Sequence, residues 1–518
     1  MLLSLTLLGC GDEPEATTWA FDDVPVVANV DDDDGDGQQD WYQGGVPEEN
    51  DWALLTITAD QLADAGALRL KVSDNDIRVW SGDKLLVGYQ SRTELELYGP
   101  FDRDIALQIE LGSWPTDAIL RLEKLDDDLQ LLDTHDVAVT SSPLLLSHHL
   151  QTVEEVFVME FASWMDNRAM VDGLEAVLGD KLTVGDGETY WDQWIQDELE
   201  FGNLYSPHER VQVIVNSIRS SRNDPLERYI EEVLQGSADR IAQTWGDKSP
   251  NSQDSFGNME VSPPVTVDGT EYPFGRIYYG EWFGEGPVKE VTEMLADQGL
   301  QDPFVLDVSW LCVGHVDEFT SFLPDPSAPK GWRLYVSDTE AGYDFLEGLD
   351  PDYELPKFAA DHHYGTVGEI LDDQALALLN EDLQRDYIEP SIDLMKAELG
   401  LDEADIVRVP SVFEEFQGCW GATLALIPGT VNMLVTPLEN GETHLFLPDP
   451  FFRQDEADQD SDPFIQAVND LLPASAQKHW LDDWDTYHLL MGEVHCGTNT
   501  RRAPMANWWD TTSTTEAE

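Results

Sequence analysis

The sequence predicts a small β-sandwich followed by a larger mixed α/β domain, and three features of the chain support this. Between about Trp52 and Leu125, apolar residues recur at every second position, as in strands with one buried face. Beyond about residue 140, helical stretches such as Gly368 to Leu383 and Pro390 to Leu399 alternate with short apolar runs. With 518 residues, of which 42% are hydrophobic, the chain can form the cores of roughly two or three domains.

The balance of charge is strongly acidic. The chain has 28 Lys and Arg residues against 103 Asp and Glu residues, which gives a formal net charge of −75. Nucleic acid and anionic membrane surfaces are repelled by this charge, so we exclude both as partners and expect basic ligands. Because the acids are spread along the chain, composition is compatible with hydration in a salty medium and with cation binding. We favour salt adaptation for most of them.

The first ten residues, MLLSLTLLGC, are apolar up to Gly9 and Cys10, and an acidic stretch follows. This segment resembles a bacterial lipoprotein signal with Cys10 as the lipidated first residue of the mature chain, although no basic residue precedes it. The resemblance implies export to the cell envelope, in the periplasm or at the cell surface, with membrane contact only through the lipid. We assign residues 1–20 to the signal and an acidic linker. A frayed apolar N-terminus is the alternative.

An acidic stretch over residues 29–40 reads NVDDDDGDGQQD. Acids at alternate positions followed by a glycine match the start of a calcium loop, although Gln43 stands where an EF-hand has its bidentate Glu. A solvated acidic linker is the alternative. The candidate ligands are Asp32, Asp34, Asp36 and Asp40.

The period-two pattern predicts short antiparallel strands separated by Gly, Asp, Asn and Pro turns. We place this sandwich, with the acidic loop, at residues 21–140 and a second domain at 141–518. The sandwich contains no catalytic cluster. We therefore expect it to have a supporting role, to present the second domain, or to bind calcium. The alternating apolar positions are Leu68, Leu70, Val72, Leu95, Leu97, Ile105, Leu107, Ile109 and Leu111.

Three segments of the second domain combine reactive side chains. They read WIQDELE (Trp194 to Glu200), WLCVGHVDEF (Trp310 to Phe319) and GEVHCGTNTRR (Gly492 to Arg502). In the third, glycines on both sides of Cys496 allow close approach of a substrate, which makes this thiol a candidate nucleophile. A lone Cys is also a common buried apolar residue. On an extended backbone, His495 would point away from Cys496.

The other two segments supply acids and a histidine. His315 and Asp317 lie two residues apart and share a face of an extended segment, an arrangement that also suits a metal pair or a structural contact. Asp197 follows Trp194 in an acidic segment that is equally compatible with a helix turn. Together the groups suit a planar cation, because carboxylates accept paired N–H donors and an aromatic ring covers the plane. A thiolate and a histidine then complete the chemistry of amidine hydrolysis.

These segments, with DSFGNMEVSPPVTV (Asp254 to Val267), ELGLDEADIVRVP (Glu398 to Pro410) and VNMLV (Val431 to Val435), closely resemble the catalytic domain of the protein-arginine deiminases. The motifs occur in the same order from about residue 150 to Trp509. Residues 21–140 resemble more weakly the family's middle immunoglobulin-like domain. The resemblance implies a five-bladed α/β propeller of the pentein type that hydrolyses peptidyl-arginine to peptidyl-citrulline and ammonia.

The resemblance also implies a role for each matched residue. Cys496 corresponds to the nucleophile, which forms an amidino-thioether, and His315 to the general acid and base. Asp197 and Asp317 correspond to the carboxylates that bind the guanidinium group. These four residues are the expected catalytic set.

Substrate contacts follow from the same resemblance. Trp194 lines the channel of the arginine side chain, and Arg222 holds the substrate backbone. Two positions depart from the animal enzymes, since Asp224 replaces a second substrate-contacting arginine and Leu490 replaces a basic residue near the nucleophile. We therefore expect altered peptide selectivity with unchanged chemistry.

The animal members are activated by calcium, and much of one calcium site is matched here. In a second site Arg219 replaces a carboxylate and can supply a built-in positive charge, so we expect Ca²⁺ chiefly at the first site. The matched positions of the first site are Gln196, Glu200 and Glu260 for side chains and Phe256 and Met259 for backbone carbonyls. Those of the second site are Glu198, Ser220 and Asn223.

Two other functions stay open at this point. One is a deiminase or amidinotransferase that acts on free arginine, agmatine or a methylated arginine, since the wider superfamily shares the Cys, the His and the paired carboxylates. The other is a surface lipoprotein that binds calcium or basic peptides without turnover. The match to Arg222 favours arginine-containing protein or peptide substrates over the first alternative, and the intact Cys496 favours an enzyme over the second.

Overall fold

A computed structural model of the chain describes residues 19, 21–29, 40–43, 46–47, 51–73, 76–114, 116–163, 165–207, 209–219, 225–234, 240–243, 251–419, 421–505 and 507–510. The contacts divide the chain into two compact units. The first is Met1–Ser142 with Tyr205–Glu209, and the second is Pro143–Leu204 with Arg210–Glu518. No helix among the described residues is long and apolar enough to cross a membrane.

The first unit contains two sheets of mostly antiparallel strands. One sheet has the order β1-β9-β8-β3-β6, and the other has the order β2-β7-β4-β5. In β2, buried and exposed residues alternate strictly, because one face of the strand lies on the core and the other in solvent. The strands are β1 (Val24–Val26), β2 (Ala53–Ile57), β3 (Ala67–Val72), β4 (Ile77–Ser81), β5 (Lys84–Gly88), β6 (Glu94–Tyr98), β7 (Ile105–Leu111), β8 (Asp117–Leu125) and β9 (Leu131–Ser141).

The second unit is mixed α/β, as its alternation of apolar runs and helical stretches predicts. Its strands are β10 (Leu145–Leu146), β11 (Val153–Glu160), β12 (Leu182–Asp186), β13 (Leu199–Tyr205), β14 (Arg210–Asn216), β15 (Arg240–Gln243), β16 (Met259–Val261), β17 (Val265–Val267), β18 (Thr270–Tyr272), β19 (Ile277–Glu281), β20 (Phe304–Asp307), β21 (Thr320–Pro324), β22 (Trp332–Asp338), β23 (Ile406–Pro410), β24 (Phe413–Glu415), β25 (Thr423–Ala425), β26 (Leu434–Pro437), β27 (Thr443–Pro448), β28 (Gln477–Leu481) and β29 (Thr498–Arg502).

Five sheets of three or four strands repeat one pattern within the described part of this unit. Their orders are β12-β11-β29, β10-β13-β14-β15, β16-β19-β20, β21-β22-β23 and β26-β27-β28. Each sheet combines an antiparallel pair with a parallel pair. The C-terminal strand β29 pairs with β11, from the beginning of the unit, so the two ends of the unit share one sheet. Strand β29, which follows Cys496, therefore belongs to the same sheet as β11 and β12, which precede the Trp194 segment in the chain.

The helices of the described part of the chain are four to eleven residues long. They are α1 (Asp40–Gln43), α2 (Arg168–Leu178), α3 (Gly187–Tyr190), α4 (Ile195–Glu198), α5 (Pro225–Tyr229), α6 (Lys289–Asp297), α7 (Thr339–Glu347), α8 (Pro356–Asp361), α9 (Val367–Asp372), α10 (Gln374–Leu383), α11 (Glu389–Leu399) and α12 (Pro463–Leu471). In α2 the buried residues are Met170, Val171, Leu174 and Leu178, at helical spacing.

The helical stretch predicted for Gly368 to Leu383 is two helices, α9 and α10. Asp373 separates them, because its carboxylate accepts hydrogen bonds from the backbone N–H groups of Ala375 and Leu376 and so caps α10. The stretch predicted for Pro390 to Leu399 is α11, which ends at Gly400 with a φ of 61°, a left-handed conformation that favours glycine.

Candidate active site

Cys496 lies in the turn that precedes β29. The turn is closed by hydrogen bonds from Gly497 N to Glu493 O (3.2 Å) and from Thr498 N to His495 O (3.0 Å). The flanking glycines are required by close packing, since a Cβ at Gly492 would lie 2.5 Å from the Trp194 ring and one at Gly497 would lie 2.3 Å from the Tyr487 ring. The sulfur is buried, with Cys496 only 4% exposed.

The sulfur of Cys496 contacts side chains from two distant segments. Sγ lies 3.5 Å from Asp317 Oδ2 and accepts a hydrogen bond of 3.3 Å from Asn432 Nδ2. The same amide nitrogen donates to the backbone oxygen of Asp317 (3.1 Å), and Asn432 Oδ1 accepts from Cys496 N (3.3 Å). Asn432 therefore connects the nucleophile turn to the segment that carries the acid. Asn432 was not among the predicted site residues, and the feature of the sequence that pointed to it is its position in the VNMLV motif.

His495 also turns towards this acid. Its Nδ1 lies 2.9 Å from Asp317 Oδ2, the oxygen that contacts Cys496 Sγ. The extended backbone on which His495 would point away from Cys496 is not present, because residues 494–497 form a turn. Adjacent residues in a turn can reach the same group.

His315 is held by the segment that begins at Ser252. Its Nε2 lies 2.9 Å from the Ser252 carbonyl oxygen, which accepts a hydrogen bond from the protonated nitrogen. This contact leaves Nδ1 facing Asp197 Oδ1 at 3.5 Å. The expected extended segment is a short 3-10 helix, Val316–Glu318, in which the Glu318 carboxylate accepts a hydrogen bond from the backbone nitrogen of His315 (2.8 Å).

Three polar atoms converge on one position beside Gly257. A Cβ built there would lie 2.9 Å from Asp197 Oδ1, 3.0 Å from Asp317 Oδ2 and 3.0 Å from His315 Nδ1. Within the described part of the chain, Asp197 Oδ1, Asp317 Oδ1 and His315 Nδ1 are buried and make no hydrogen bond. Buried polar atoms are costly unless they have a partner, so the cluster is suited to a ligand with several N–H donors.

The electrostatics of the cluster favour a cation. Burial raises the pKa of the Cys496 thiol well above its usual range, and the charges of Asp317 and Asp197 raise it further. Burial likewise raises the pKa of Asp197, against the opposing effect of His315 and Arg219. A positive charge brought into the cluster would favour the ionised form of both groups.

Arg219 lies between three acids at the edge of the cluster. Its Nη2 is 2.8 Å from Asp192, its Nε is 2.9 Å from Glu198, and its Nη1 is 3.6 Å from Asp197. The side chain of Arg219 is only 7% exposed, and burial, which opposes the charge, is outweighed by the acids, so its pKa is raised. Glu198 is thus paired with an arginine in this structure.

Trp194 begins the acidic segment and borders the nucleophile turn. Its ring meets the Tyr487 ring edge to face, with centroids 5.5 Å apart, and packs against Gly492. A cleft of about 370 Å³ borders the same turn and is lined by residues that include Asn432, Gly492 and Glu493. The indole is partly buried and packs against the core cluster that contains Tyr487 and Val494.

The residues matched to the first calcium site lie mostly around one cavity. Gln196, Glu200, Met259 and Glu260 line a space of about 360 Å³, and Gln196 Nε2 donates to Glu200 Oε2 at 3.1 Å. Burial and the neighbouring charge of Glu260 raise the pKa of Glu200 to about 8. The partly buried carboxylate of Glu200 and the buried carboxylate of Glu260, beside an amide oxygen, form a donor set that suits Ca²⁺. Phe256 lines a neighbouring cavity together with Met259.

Several predicted residues lie outside the described part of the chain. They are Cys10, Asp32, Asp34, Asp36, Ser220, Arg222 and Asn223, together with the departing Asp224. Asp40 begins the short helix α1. Cys312 and Cys419, which carried no predicted pairing, form a disulfide with Cα atoms 5.5 Å apart, and Cys496 is free.

Comparison of the chain with known proteins shows similarity to one protein family. The family model described as "Protein-arginine deiminase (PAD)" matches residues 131–510. The chain is 33% identical to rat protein-arginine deiminase type-3 over 401 residues and 33% identical to human type-4 over 390 residues. These matches cover 73% and 71% of this chain and 56% and 55% of the relatives, so the chain spans little more than half of their length.

A longer match extends the similarity. Mouse protein-arginine deiminase type-4 is 32% identical over 557 residues, which cover 98% of this chain and 77% of the relative. Among solved structures, an agmatine deiminase from C. jejuni has a TM-score of 0.38 at 10% identity and covers 71% of this chain and 98% of its own. The family match and the identities agree over most of the chain, and the protein belongs to the protein-arginine deiminase family.

Proposed function

We propose that this protein hydrolyses arginine side chains in proteins or peptides, giving citrulline residues and ammonia. The observation that carries the proposal is the convergence of Asp197, Asp317 and His315 on one point, with Cys496 Sγ 3.5 Å from Asp317. Arginine is positively charged at any physiological pH and presents five N–H donors in a plane. The two buried carboxylates have the charge and the acceptors that this group requires.

Binding and ionisation are coupled in this proposal. When the guanidinium group enters, Asp197 and Asp317 accept its N–H donors, and its positive charge offsets their effect on the Cys496 thiol. The pKa of the thiol, raised by burial and by these carboxylates in the free protein, then falls. His315 accepts the thiol proton, directly or through water, so that the thiolate is the attacking species.

The covalent step forms one bond and breaks another. The thiolate adds to the central carbon of the guanidinium group to give a tetrahedral species held by Asp197 and Asp317. This species collapses by breaking a C–N bond, and protonated His315 gives its proton to the departing nitrogen, which leaves as ammonia. The product is an amidino-thioether on Cys496.

Hydrolysis reverses the role of His315. The now neutral imidazole takes a proton from a water molecule, which attacks the same carbon. The C–S bond then breaks, the thiolate leaves, and the carbon keeps the oxygen as the urea group of citrulline. Asn432, which donates to Cys496 Sγ at 3.3 Å, stabilises the thiolate in both half-reactions.

Calcium at the first site is part of the proposal. Gln196, Glu200 and Glu260 would hold it by side chains, with Phe256 and Met259 as the expected carbonyl donors, and a bound ion would neutralise the two acids. Gln196 and Glu200 flank Asp197 in the sequence, and Gln196 N donates to Cys496 O at 3.3 Å. An ion at this site would therefore be held by the segment that contains Asp197, and that segment is hydrogen-bonded to the turn that contains Cys496.

At the second matched site we propose that Arg219 takes the place of an ion. Its three acidic contacts supply the support, since a guanidinium group already neutralises the carboxylate of Glu198. Ser220 and Asn223 remain candidate ligands only if Arg219 is displaced. One calcium ion per catalytic domain is the expected stoichiometry.

The wider architecture is also proposed. We infer that the five sheets of the second unit are the blades of a five-bladed propeller, supported by their repeated mixture of antiparallel and parallel pairs and by the pairing of β29 with β11. The first unit is proposed as an immunoglobulin-like domain with a calcium loop at Asp32, Asp34, Asp36 and Asp40. Export as a lipoprotein through Cys10 remains our expectation.

The test is mass spectrometry of an arginyl peptide blocked at both ends, after incubation with the purified protein. We expect the mass increase of about one unit that accompanies replacement of an imine nitrogen by oxygen, together with stoichiometric ammonia. Cys496→Ala should abolish both products. Free arginine and agmatine, assayed in parallel, should be poorer substrates, and equal or better turnover of them would contradict a peptide substrate.

Calcium dependence is measured in the same assay. After exhaustive removal of calcium, activity should fall and should return on titration with Ca²⁺. Glu200→Gln and Glu260→Gln should each require more calcium for half-maximal activity. Unchanged turnover in the calcium-free protein would argue against a catalytic requirement for the ion while leaving the thiol chemistry intact.

A further inference from the structure

Two histidines and a glutamate meet in the cavity described above for calcium. His149 Nε2 lies 3.1 Å from Glu260 Oε2, and His495 Nε2 lies 3.6 Å from Glu260 Oε1. One ligand atom from each residue lies within 4.8 Å of the other two. All three side chains are buried, and the two imidazole rings meet with their centroids 5.3 Å apart. Two nitrogens and a carboxylate therefore face a common space.

Each imidazole is fixed through its other nitrogen. His149 Nδ1 lies 3.2 Å from Ser321 Oγ, and His495 Nδ1 lies 2.9 Å from Asp317 Oδ2. Histidines that bind metals usually have this arrangement, in which a hydroxyl or carboxylate partner on one nitrogen orients the other nitrogen towards the ion. The two outer contacts come from β21 and from the catalytic segment, so the orientation is built into the fold.

The donor set distinguishes between classes of ion. Calcium is bound by oxygen ligands, whereas zinc and the later divalent transition metals favour imidazole nitrogen. His149 and His495 approach different oxygens of the Glu260 carboxylate, at 3.1 and 3.6 Å, and the three residues lie close enough together to hold one ion. We propose that His149, Glu260 and His495 form a binding site for a divalent transition metal of the zinc class, with a fourth position open to water.

The site shares a ligand with the proposed calcium site. Glu260 belongs to both donor sets, and Gln196 and Glu200 line the same cavity. An ion on the two histidines therefore displaces calcium from Glu260. It also binds His495, whose other nitrogen contacts the catalytic Asp317. Inhibition that calcium relieves follows from this geometry, and this second part of the inference rests on the proposed function.

Binding is tested without reference to activity. The full-length protein, freed of metal with a chelator, is titrated with Co²⁺ and followed by visible absorption, and with Zn²⁺ by calorimetry. We expect one equivalent to bind, with the strong absorption of tetrahedral cobalt. His149→Asn should weaken binding at least 100-fold, and Ser321→Ala should weaken it about 10- to 100-fold, as for loss of an outer partner.

The controls separate this site from other ligands. His363→Asn removes an exposed histidine and should leave the affinity unchanged. Cys496→Ala should also bind Co²⁺ normally, because the thiol is not among the proposed ligands. Thermal unfolding of each variant without metal establishes that it is folded. Equal affinity of the wild type and His149→Asn, absence of binding to the wild type, or loss of binding in Cys496→Ala would each overturn the proposal.

An activity measurement tests the second part. Zn²⁺ should inhibit the wild type, with calcium raising the concentration needed for half inhibition, and His149→Asn should lose most of this sensitivity when its rate with zinc is divided by its own rate without zinc. If the protein forms no citrulline under any condition, the proposed function fails while the cobalt spectrum still decides the metal site. Inhibition of His149→Asn equal to that of the wild type would contradict the competition at Glu260.

Discussion

Asp317 Oδ2 lies 3.5 Å from Cys496 Sγ, although 179 positions separate the two residues in the chain. A carboxylate so close to a buried thiol opposes its ionisation, because the thiolate would be a second negative charge in a site with little water. Burial first, and then Asp317 and Asp197, hold the pKa of this thiol well above its ordinary range. The thiol of Cys496, the proposed nucleophile, is therefore protonated until a cation arrives.

This relationship predicts the pH dependence of alkylation. Without substrate, the rate of reaction of Cys496 with iodoacetamide should be low at neutral pH and should still be rising above about pH 8.5, the ordinary pKa of a thiol. Asp317→Asn removes one negative charge, so the thiolate fraction at pH 8 should increase, about tenfold for each unit by which the pKa falls. Labelling is measured by mass spectrometry, with Cys496→Ser as the background. Identical pH profiles for the wild type and Asp317→Asn would refute this explanation.

Gly257 predicts a steric effect on catalysis. Gly257→Ala adds a methyl group within 2.9 to 3.0 Å of Asp197, Asp317 and His315, beside the space in which the guanidinium group is proposed to bind. We expect kcat/KM to fall about 100-fold or more, as for other displacements of about 1 Å in active sites. The matched control is Gly269→Ala. A Cβ at Gly269 has no neighbour within 4 Å, and its φ is 91°, so this variant measures the effect of replacing a glycine away from the site. Near-normal turnover of Gly257→Ala would show that the guanidinium group binds elsewhere.

Arg219 predicts a combined effect on stability and activity. Arg219→Gln removes one cation from the buried acids Asp192 and Glu198, and the loss of one partner from a buried pair costs about 3–5 kcal/mol. Urea denaturation measures the free energy of unfolding. Calcium at millimolar concentration should restore part of the lost activity if the ion can enter the space left by the guanidinium group.

The control for Arg219 is an arginine on the surface. Arg168→Gln breaks an exposed contact with Asp166 and should leave the free energy of unfolding nearly unchanged, because exposed ion pairs contribute little. If Arg219→Gln is as stable and as active as Arg168→Gln, Arg219 does not neutralise these acids in solution.

The disulfide predicts a contribution to stability. Cys312 and Cys419 enclose a loop with a sequence separation of 107 residues. Restricting a loop of this length in the unfolded chain stabilises the folded state by about 4–5 kcal/mol. Cys419→Ser should lower the free energy of unfolding accordingly, and reductant should bring the wild type to the same value. The thiol count of the denatured protein should rise by two after reduction, and an unchanged count would show that the bond does not form.

Much of the local structure follows from the sequence, because local patterns report local geometry. The period-two apolar residues between about Trp52 and Leu125 correspond to strands of two sheets, and Gly400 ends α11 where the apolar helix pattern stops. The break at Asp373 was missed, since a capping side chain competes with a helix pattern that continues on both sides.

The reactive residues of the candidate site were also selected from the sequence. Cys496, His315, Asp197 and Asp317 stood out because their residue types combine into one reaction and their motifs resemble one family. No periodicity connects them, and their mutual distances could not be read from the chain. Asn432 and Gly257 lay within recognised motifs, yet their contacts with the thiol and the acids depend on how distant loops meet.

From the sequence by itself we identified the family resemblance and selected the residues on which the proposed chemistry depends. Only the tertiary structure decided that His495 shares Asp317 with the nucleophile, that Arg219 lies among three acids, and that Cys312 pairs with Cys419. The physical reason is the same in each case. These contacts join segments far apart in the chain, and the pairing of strands, rather than the residues on either side, sets the distances between them.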